Sequence, residues 1–446
     1  MSTILVAVTP MAGHVNPMLV VAESLRARGH DVIFTTSELF REKVDAAGIR
    51  FVPLLGNANY DYRRLGELIP GLQSAAPGTD QAIHYIKHVF GDRIPDQDRG
   101  LRQILSEQHV DLVMTDIGFF GILPMLLRGG RRPPVVSCGV IAPIWLDPAF
   151  SVFSGPDTTP VGITRNVEDN RLYAAARAPA FRYVDTVLEK LGVSIPGGGD
   201  ENTRYRLPDL FLQFGAEAFE YPTFDRPANL RFTGPILPTP KAATKPPAWL
   251  DRLDPSKPVV FVTQGTLANF DFNQLVNPAL AGLADDDVQL IVTAGGSTAD
   301  TIIAPSTVIV EPYIPYDIVL PKTSAFVTNG GYNGVQQALA YGVPIVSAGV
   351  TEDKRQVAGR VNWSGAGIGM QTSTPTPHQL RDAVRAVLRD PRYRTRAKAL
   401  GANIANTNAL ATIAEQVEST IARATDGAVR AIPRRPERHT DVPLHF

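Results

Sequence analysis

Cysteine is nearly missing: the 446-residue chain carries one, Cys138. A lone thiol excludes an internal disulfide and a multi-cysteine zinc site, and a reducing compartment is the natural expectation. Charge of one sign is lacking as well, with 43 basic against 44 acidic side chains and a net charge of −1. That balance speaks against a general nucleic-acid binder, which needs a basic surplus to displace counterions from phosphates. No apolar run approaches the roughly 20 residues that span a bilayer, so no membrane insertion is expected. No basic leader precedes Ile4-Leu5-Val6-Ala7-Val8, which predicts a chain without a secretory signal and a cytoplasmic location.

What is present is core material. Hydrophobic residues make up 44% of the chain, enough for two or three domains at about 150 residues each. Short β-branched runs alternate with helical periods. Thr3–Val8, Asp31–Thr35, Asp111–Thr115, Pro134–Val140 and Asp209–Phe214 read as strands in the first half. Pro258–Thr263, Val288–Thr293, Thr307–Val310, Ala325–Thr328 and Pro344–Ser347 do so in the second. These runs are apolar throughout rather than alternating, as befits parallel strands buried on both faces, and the class is α/β. The first helix reads as capped by Asn16, opened by Pro17 and ended by Gly29. Seven prolines between Gly234 and Pro258 make a semi-rigid connector and divide the chain near residue 236 into two doubly wound domains. The last residues, 426–446, lack periodicity and read as a loosely held tail.

Two glycine turns follow strands in the second half. Asn329-Gly330-Gly331-Tyr332-Asn333-Gly334 joins an apolar strand to a helix, and Gln264-Gly265-Thr266 closes another strand. Glycines let a backbone approach a ligand, and the free amides of a helix start favour an anion, so the first turn reads either as a diphosphate cradle or as a tight strand–helix turn. It is neither a P-loop nor a dinucleotide fingerprint. In the first half, Gly13-His14-Val15-Asn16-Pro17 sets an imidazole at the carboxyl edge of the sheet, where a general base belongs. Asp116 ends a strand that doubly wound order places beside the first, so it can reach His14 and hold its tautomer. The plainer alternative is that His14 precedes a helix cap and Asp116 caps the next helix. His84 and His88, four apart, lack a third ligand and read as a surface pair, and Asp285-Asp286-Asp287 reads as a solvated loop. The aromatics Tyr60, Tyr62, Phe119, Phe120, Trp145, Phe150 and Phe153 fall in loops after first-half strands, where several together would suit a flat apolar acceptor.

The Gly13-His14-Val15-Asn16-Pro17 opening, Gly234-Pro235 at the junction and the stretch from Tyr313 to Met370 give the chain a resemblance, over nearly its full length, to the UDP-glycosyltransferases of the GT-B fold. It looks most like the bacterial branch that glycosylates macrolides, polyketides and flavonoid-like molecules. The resemblance implies two Rossmann-like domains facing a cleft, an acceptor domain over 1–235 and a donor domain over 236–405. A helix over 406–425 would cross back to the first domain, ahead of the 426–446 tail. It implies His14 as catalytic base with Asp116 as partner, Tyr313 stacked on the nucleobase, and Ile314 reading the base edge through its backbone. Gly265, Thr266, Gly330, Gly331, Asn333, Gly334 and neighbouring amides, with Gly13 across the cleft, would hold the diphosphate, and Asp353 the sugar hydroxyls. Four positions depart from the family pattern: its phosphate-binding histidine is Asn329, its helix-turn serine Gly334, its ribose-binding glutamate Gln337 and its sugar-binding glutamine Lys354.

The implied reaction is inverting, metal-independent transfer of a hexose or deoxyhexose from a nucleoside-diphosphate sugar, UDP-glucose in type, to a hydroxyl of a small aromatic or polyketide-like acceptor. The nucleotide sugar is a substrate, and no further cofactor is implied. Three alternatives stand beside it: the same transfer from a dTDP-deoxysugar in antibiotic biosynthesis, a sugar-nucleotide epimerase, and a non-catalytic sugar-nucleotide-binding relative.

Overall fold

The computed structural model of the protein describes residues 1–76, 78–238, 247–265, 271–296 and 302–425. The chain opens with strand β1 (Thr3–Ala7), helix α1 (Ala12–Ala27), β2 (Asp31–Thr36) and β3 (Arg50–Pro53). Helix α2 (Ile94–Glu107), β4 (Leu112–Asp116), β5 (Val135–Gly139), the long helix α3 (Pro160–Lys190), β6 (Leu210–Gln213) and β7 (Leu230–Phe232) follow. These seven strands form one parallel sheet in the order β3-β2-β1-β4-β5-β6-β7. Ile4, Leu5, Val6 and Ala7 are fully buried, because helices cover both faces of a parallel sheet.

The second half repeats the plan. Strands β8 (Val259–Thr263), β9 (Gln289–Thr293), β10 (Ile309–Glu311), β11 (Ala325–Thr328), β12 (Ile345–Ala348) and β13 (Gly367–Met370) form a parallel six-stranded sheet ordered β10-β9-β8-β11-β12-β13. Helix α4 (Tyr332–Ala340) leaves β11, α5 (Lys354–Ser364) precedes β13, and α6 (Pro391–Ala405) and α7 (Ala409–Thr425) end the described chain. The order reverses between β1 and β4 in one sheet and between β8 and β11 in the other, the switch points where α/β sheets collect ligands at their carboxyl ends. Helix α7 buries Ala409, Ile413, Ala414 and Val417 in the first sheet's core rather than the second's, against α1 residues such as Val21 and Leu25. Its Glu418 also meets Arg28 at 2.8 Å and His30 at 3.3 Å.

Two local readings, both in helix α1, need correction. Helix α1 begins at Ala12, so Asn16 lies inside it and accepts from Lys43 Nζ at 2.5 Å instead of capping. Pro17 is interior, and its missing N–H leaves the Gly13 carbonyl without the usual i+4 partner. The connector is partly folded: Ala248–Arg252 forms a 3-10 turn that plants Trp249 in the second core. Strands β3, β7 and β13 carry no long apolar run, being short and placed at or near sheet edges. The remainder of the connector, 239–246, and the 426–446 tail lie outside the described residues. Among the described residues no helix is long and apolar enough to cross a membrane.

Candidate active site

β1 and β4 pair in parallel with Ala7 opposite Thr115, so the chain leaves both strands at one edge. β1 turns through Thr9 into α1, whose first turn carries Gly13 and His14, while β4 ends on Asp116. The His14 Nδ1 and Asp116 Oδ2 atoms are 2.6 Å apart, both side chains being buried. A carboxylate only accepts, so Nδ1 carries the hydrogen, and in the neutral ring Nε2 holds the lone pair. The carboxylate is itself fixed: Oδ1 accepts from Thr9 N at 2.6 Å and Oδ2 also from Gly118 N at 2.7 Å. Asp116 therefore orients an imidazole and cannot swing to cap a helix.

Across the cleft, β11 ends at Thr328 and the chain turns through Asn329, Gly330 and Gly331 into α4. Gly330 holds φ +91°, a conformation side chains resist, and its N–H meets Thr328 Oγ1 at 3.2 Å. Gly331 is the residue before the first helical turn, at φ −61°, and a Cβ built on it would touch nothing within 4 Å. The same is true of Gly13 on the opposite wall, so two glycine backbones face open space. Gly334 lies within reach of the Tyr316 ring, 3.4 Å from its would-be Cβ. The Asn329 amide donates to the Gln264 carbonyl and ties the exits of β11 and β8 together, beside Gly265 at φ +73°. Thr266 lies outside the described residues.

The segment after β5 joins the two walls. Asn333 Nδ2 donates to Val140 O at 3.4 Å, and Asp353 Oδ2 accepts from Ala142 N at 2.8 Å. Burial raises the Asp353 carboxyl pKa, while the Ala142 amide and the nearby His14 ring oppose that rise. Lys354 lies with Asn329, Gln264, Gly349, Thr351 and Ser373 around a small recess. Burial pulls the Lys354 ammonium down to about 7, while the Glu352 carboxylate on its Nζ works in the opposite direction. Glu352 is the only non-glycine at positive φ among the described residues, at +47°.

Tyr313 follows β10 and is 65% exposed, a free ring at the rim of the second domain, whereas Ile314 is buried in that domain's core and offers only its backbone. Gln337 lies half-buried on α4. The aromatics expected at an acceptor rim are not gathered. Phe119, Phe120 and Tyr60 sit in three separate apolar clusters, and Trp145 and Phe150 share a fourth, all 6% exposed or less. Of that set only Phe153 is broadly exposed, with Tyr62 half-buried and stacked on Phe40. His84 and His88 are ring neighbours at 5.9 Å, and Asp286 and Asp287 are engaged by Arg385 and Lys257.

Sequence reasoning did not single out the buried network behind the cleft. Glu220, after β6, accepts from Tyr332 OH at 2.6 Å and from Arg360 Nε at 2.6 Å. Arg360 also donates to Pro143 O at 2.9 Å and lies 4.5 Å over the Tyr221 ring. A glutamate and an arginine 140 positions apart give no local pattern, so no spacing in the sequence signals the pair.

Comparison with known proteins accords with this geometry. Residues 4–94 match the glycosyltransferase family 28 N-terminal domain, and residues 277–420 match the erythromycin biosynthesis protein CIII-like C-terminal domain. The chain is 36% identical over 432 residues to 4'-demethylrebeccamycin synthase of Lentzea aerocolonigenes, covering 94% of this chain and 99% of that protein. It is 32% identical over 416 residues to UDP-glucosyltransferase B1 of Starmerella bombicola, covering 88% and 92%. Among solved structures, a calicheamicin glycosyltransferase superposes with a TM-score of 0.71 at 22% identity, covering 95% of this chain and 99% of its own, and so shares the fold. With two doubly wound domains, an imidazole–carboxylate pair on one wall and a glycine turn on the other, the chain belongs to the UDP-glycosyltransferase family and is a GT-B glycosyltransferase of the natural-product type.

Proposed function

We propose that the protein is an inverting glycosyltransferase that moves a hexose, glucose from UDP-glucose first of all, onto a hydroxyl of a small aromatic or polyketide-like acceptor. The observation that carries this reading is the 2.6 Å contact between His14 and Asp116. His14 Nε2 takes the acceptor proton as the oxygen attacks the anomeric carbon from the face opposite the diphosphate. Asp116 stabilises the imidazolium that forms. Amides of Gly330, Gly331 and the first turn of α4 receive the negative charge that builds on the leaving diphosphate, and no metal is required for that role. Lys354 leaves Glu352 for the same charge, Asp353 takes sugar hydroxyls, and Tyr313 stacks on the base. The similarity to a protein named UDP-glucosyltransferase supports the choice of donor.

The test is a matrix of UDP- and dTDP-sugars against phenolic and macrolide acceptors, with and without EDTA, read by mass. Hexose addition from UDP-glucose that survives EDTA is expected. Transfer confined to dTDP-deoxysugars would overturn the donor assignment, and an epimerised sugar nucleotide without acceptor would overturn the reaction. General-base help is worth about 10²–10⁴-fold, so His14→Ala is expected to lose that much kcat with donor affinity kept. Near-normal turnover in His14→Ala would remove the imidazole from the mechanism.

A further inference from the structure

The first domain holds a second polar pair close to His14. Arg93 opens the turn into α2 and is 9% exposed, yet it has no ion pair among the described residues, and its Nε is buried without a hydrogen-bond partner. Its guanidinium lies 5.2 Å from the centroid of the Tyr60 ring. Tyr60 is 6% exposed, and its hydroxyl is likewise buried and unpartnered. Two adjacent residues thus bury hydrogen-bonding atoms that the protein leaves unmet. Native interiors pair most such groups, and two unmet ones side by side call for a partner the chain does not supply.

The pair adjoins the reaction centre. Tyr60 packs in one cluster with Met11, whose carbonyl accepts from the His14 N–H at 2.9 Å. Phe90, three residues before Arg93, stands 3.2 Å from the would-be Cβ of Gly118, the residue whose amide holds Asp116. The Tyr60 phenol feels the charges of both Arg93 and Asp116, with burial as the main cause of its raised pKa. A guanidinium offers donors only, and a phenol beside it offers one more. Their complement is an oxygen that only accepts.

We propose that Arg93 and Tyr60 form an acceptor subsite that reads a carbonyl or carboxylate oxygen on the aromatic acceptor and fixes which hydroxyl meets His14. The proposal rests on the reading of this face of the first domain as the acceptor wall. A site built to donate to an oxygen rejects an analogue that lacks it, because its own polar groups then stay unpaired.

The probes are 2-hydroxyanthraquinone and 2-hydroxyanthracene, which share shape and hydroxyl and differ in their carbonyls. Their binding to the whole chain without donor is measured by calorimetry for the wild type, Arg93→Met and Tyr60→Phe. The wild type is expected to prefer the quinone by about tenfold or more, and each variant to lose most of that preference while binding the hydrocarbon as before. Arg93→Met is expected to keep or raise Tm, since it removes a buried charge without a counter-charge, whereas a structural arginine would lower Tm on removal. Equal binding of the two probes by the wild type, binding of neither, equal weakening of both in a variant, or a lowered Tm in Arg93→Met would each overturn the subsite. Because donor is absent, the readout is separate from the reaction: sugar transfer without the quinone preference defeats the subsite alone, and the preference without sugar transfer defeats the transferase reading alone.

Discussion

At the scale of single residues, the cleft separates glycines that the fold needs from glycines that a ligand needs. Gly330 at φ +91° is a backbone requirement. Gly331 is not: its φ of −61° suits any residue, and a methyl there meets empty space. Gly331→Ala is therefore expected to change unfolding free energy by no more than about 1 kcal/mol. The same methyl would occupy the surface offered to the diphosphate, so donor affinity is expected to fall about tenfold or more, near 1.4 kcal/mol, as read by calorimetry. Unchanged donor affinity would mean that the turn is not the cradle. Lys354 gives a pH signature. With its ammonium at about 7 in the donor-free protein, a diphosphate contact favours the protonated form, so donor KM is expected to rise from pH 7 to pH 9. Lys354→Gln is expected to show a flat profile with weaker binding at pH 6. The sign for folding is the reverse: between about 7 and the ordinary 10.5 the unfolded chain holds this proton more tightly, so the cost of the buried charge is full below 7 and relieved as pH rises.

At the scale of elements, the sequence reading fails where tertiary contact outranks local pattern. The ten strands read from apolar runs all appear, within a residue or two, because burial on both faces leaves a continuous apolar signature. Strand β13 carries Gly367 and Gly369, which break up the apolar run that marks the other strands. The structure gives the reason for them: a Cβ on Gly367 would lie 2.0 Å from Ile345 O, and one on Gly369 would lie 2.1 Å from Ala358 O. Gly367→Ala is accordingly expected to cost about 1–3 kcal/mol in chemical denaturation, the scale of an overpacked core, although alanine is a tolerable strand residue elsewhere. Helix α3 has a start signal written in two adjacent letters: Thr159 accepts from Gly162 N as its cap, and Pro160 opens it. Helix α1 carries a false one. Asn16-Pro17 imitates a helix start, and the true start lies five residues earlier, where Met11 is the cap and Ala12 opens the helix.

Across the whole molecule, the two sheets are joined by polar groups that make sense only as partners. Glu220 belongs to the first domain, Tyr332 and Arg360 to the second, and the glutamate satisfies both. Removing one member leaves the other's charge buried and unpaired, so Arg360→Met is expected to lose about 3–5 kcal/mol in urea unfolding. A double replacement of Glu220 and Arg360 by apolar residues is expected to recover much of that loss, and simple additivity of the two single effects would show that the pair is not coupled. Gly234, at φ +86°, plays the matching part at the junction, where a side chain would strike Thr407 just before α7 crosses to the first core.

By itself the sequence determined the class of architecture, the position of each long buried strand, and the residue types that end strands near a ligand edge, His14, Asp116 and the Asn329–Gly334 turn among them. Those follow from local physics: apolar continuity, glycine's freedom and the free amides of a helix start. Which of these groups meet, and which are held apart, was decided only by the tertiary structure. Strand order set Asp116 on His14, the exit of β5 joined Asp353 to the opposite wall, and close packing dispersed the loop aromatics into separate clusters. Contacts between residues more than a hundred positions apart depend on how whole sheets are wound and docked, and no spacing along the chain encodes them.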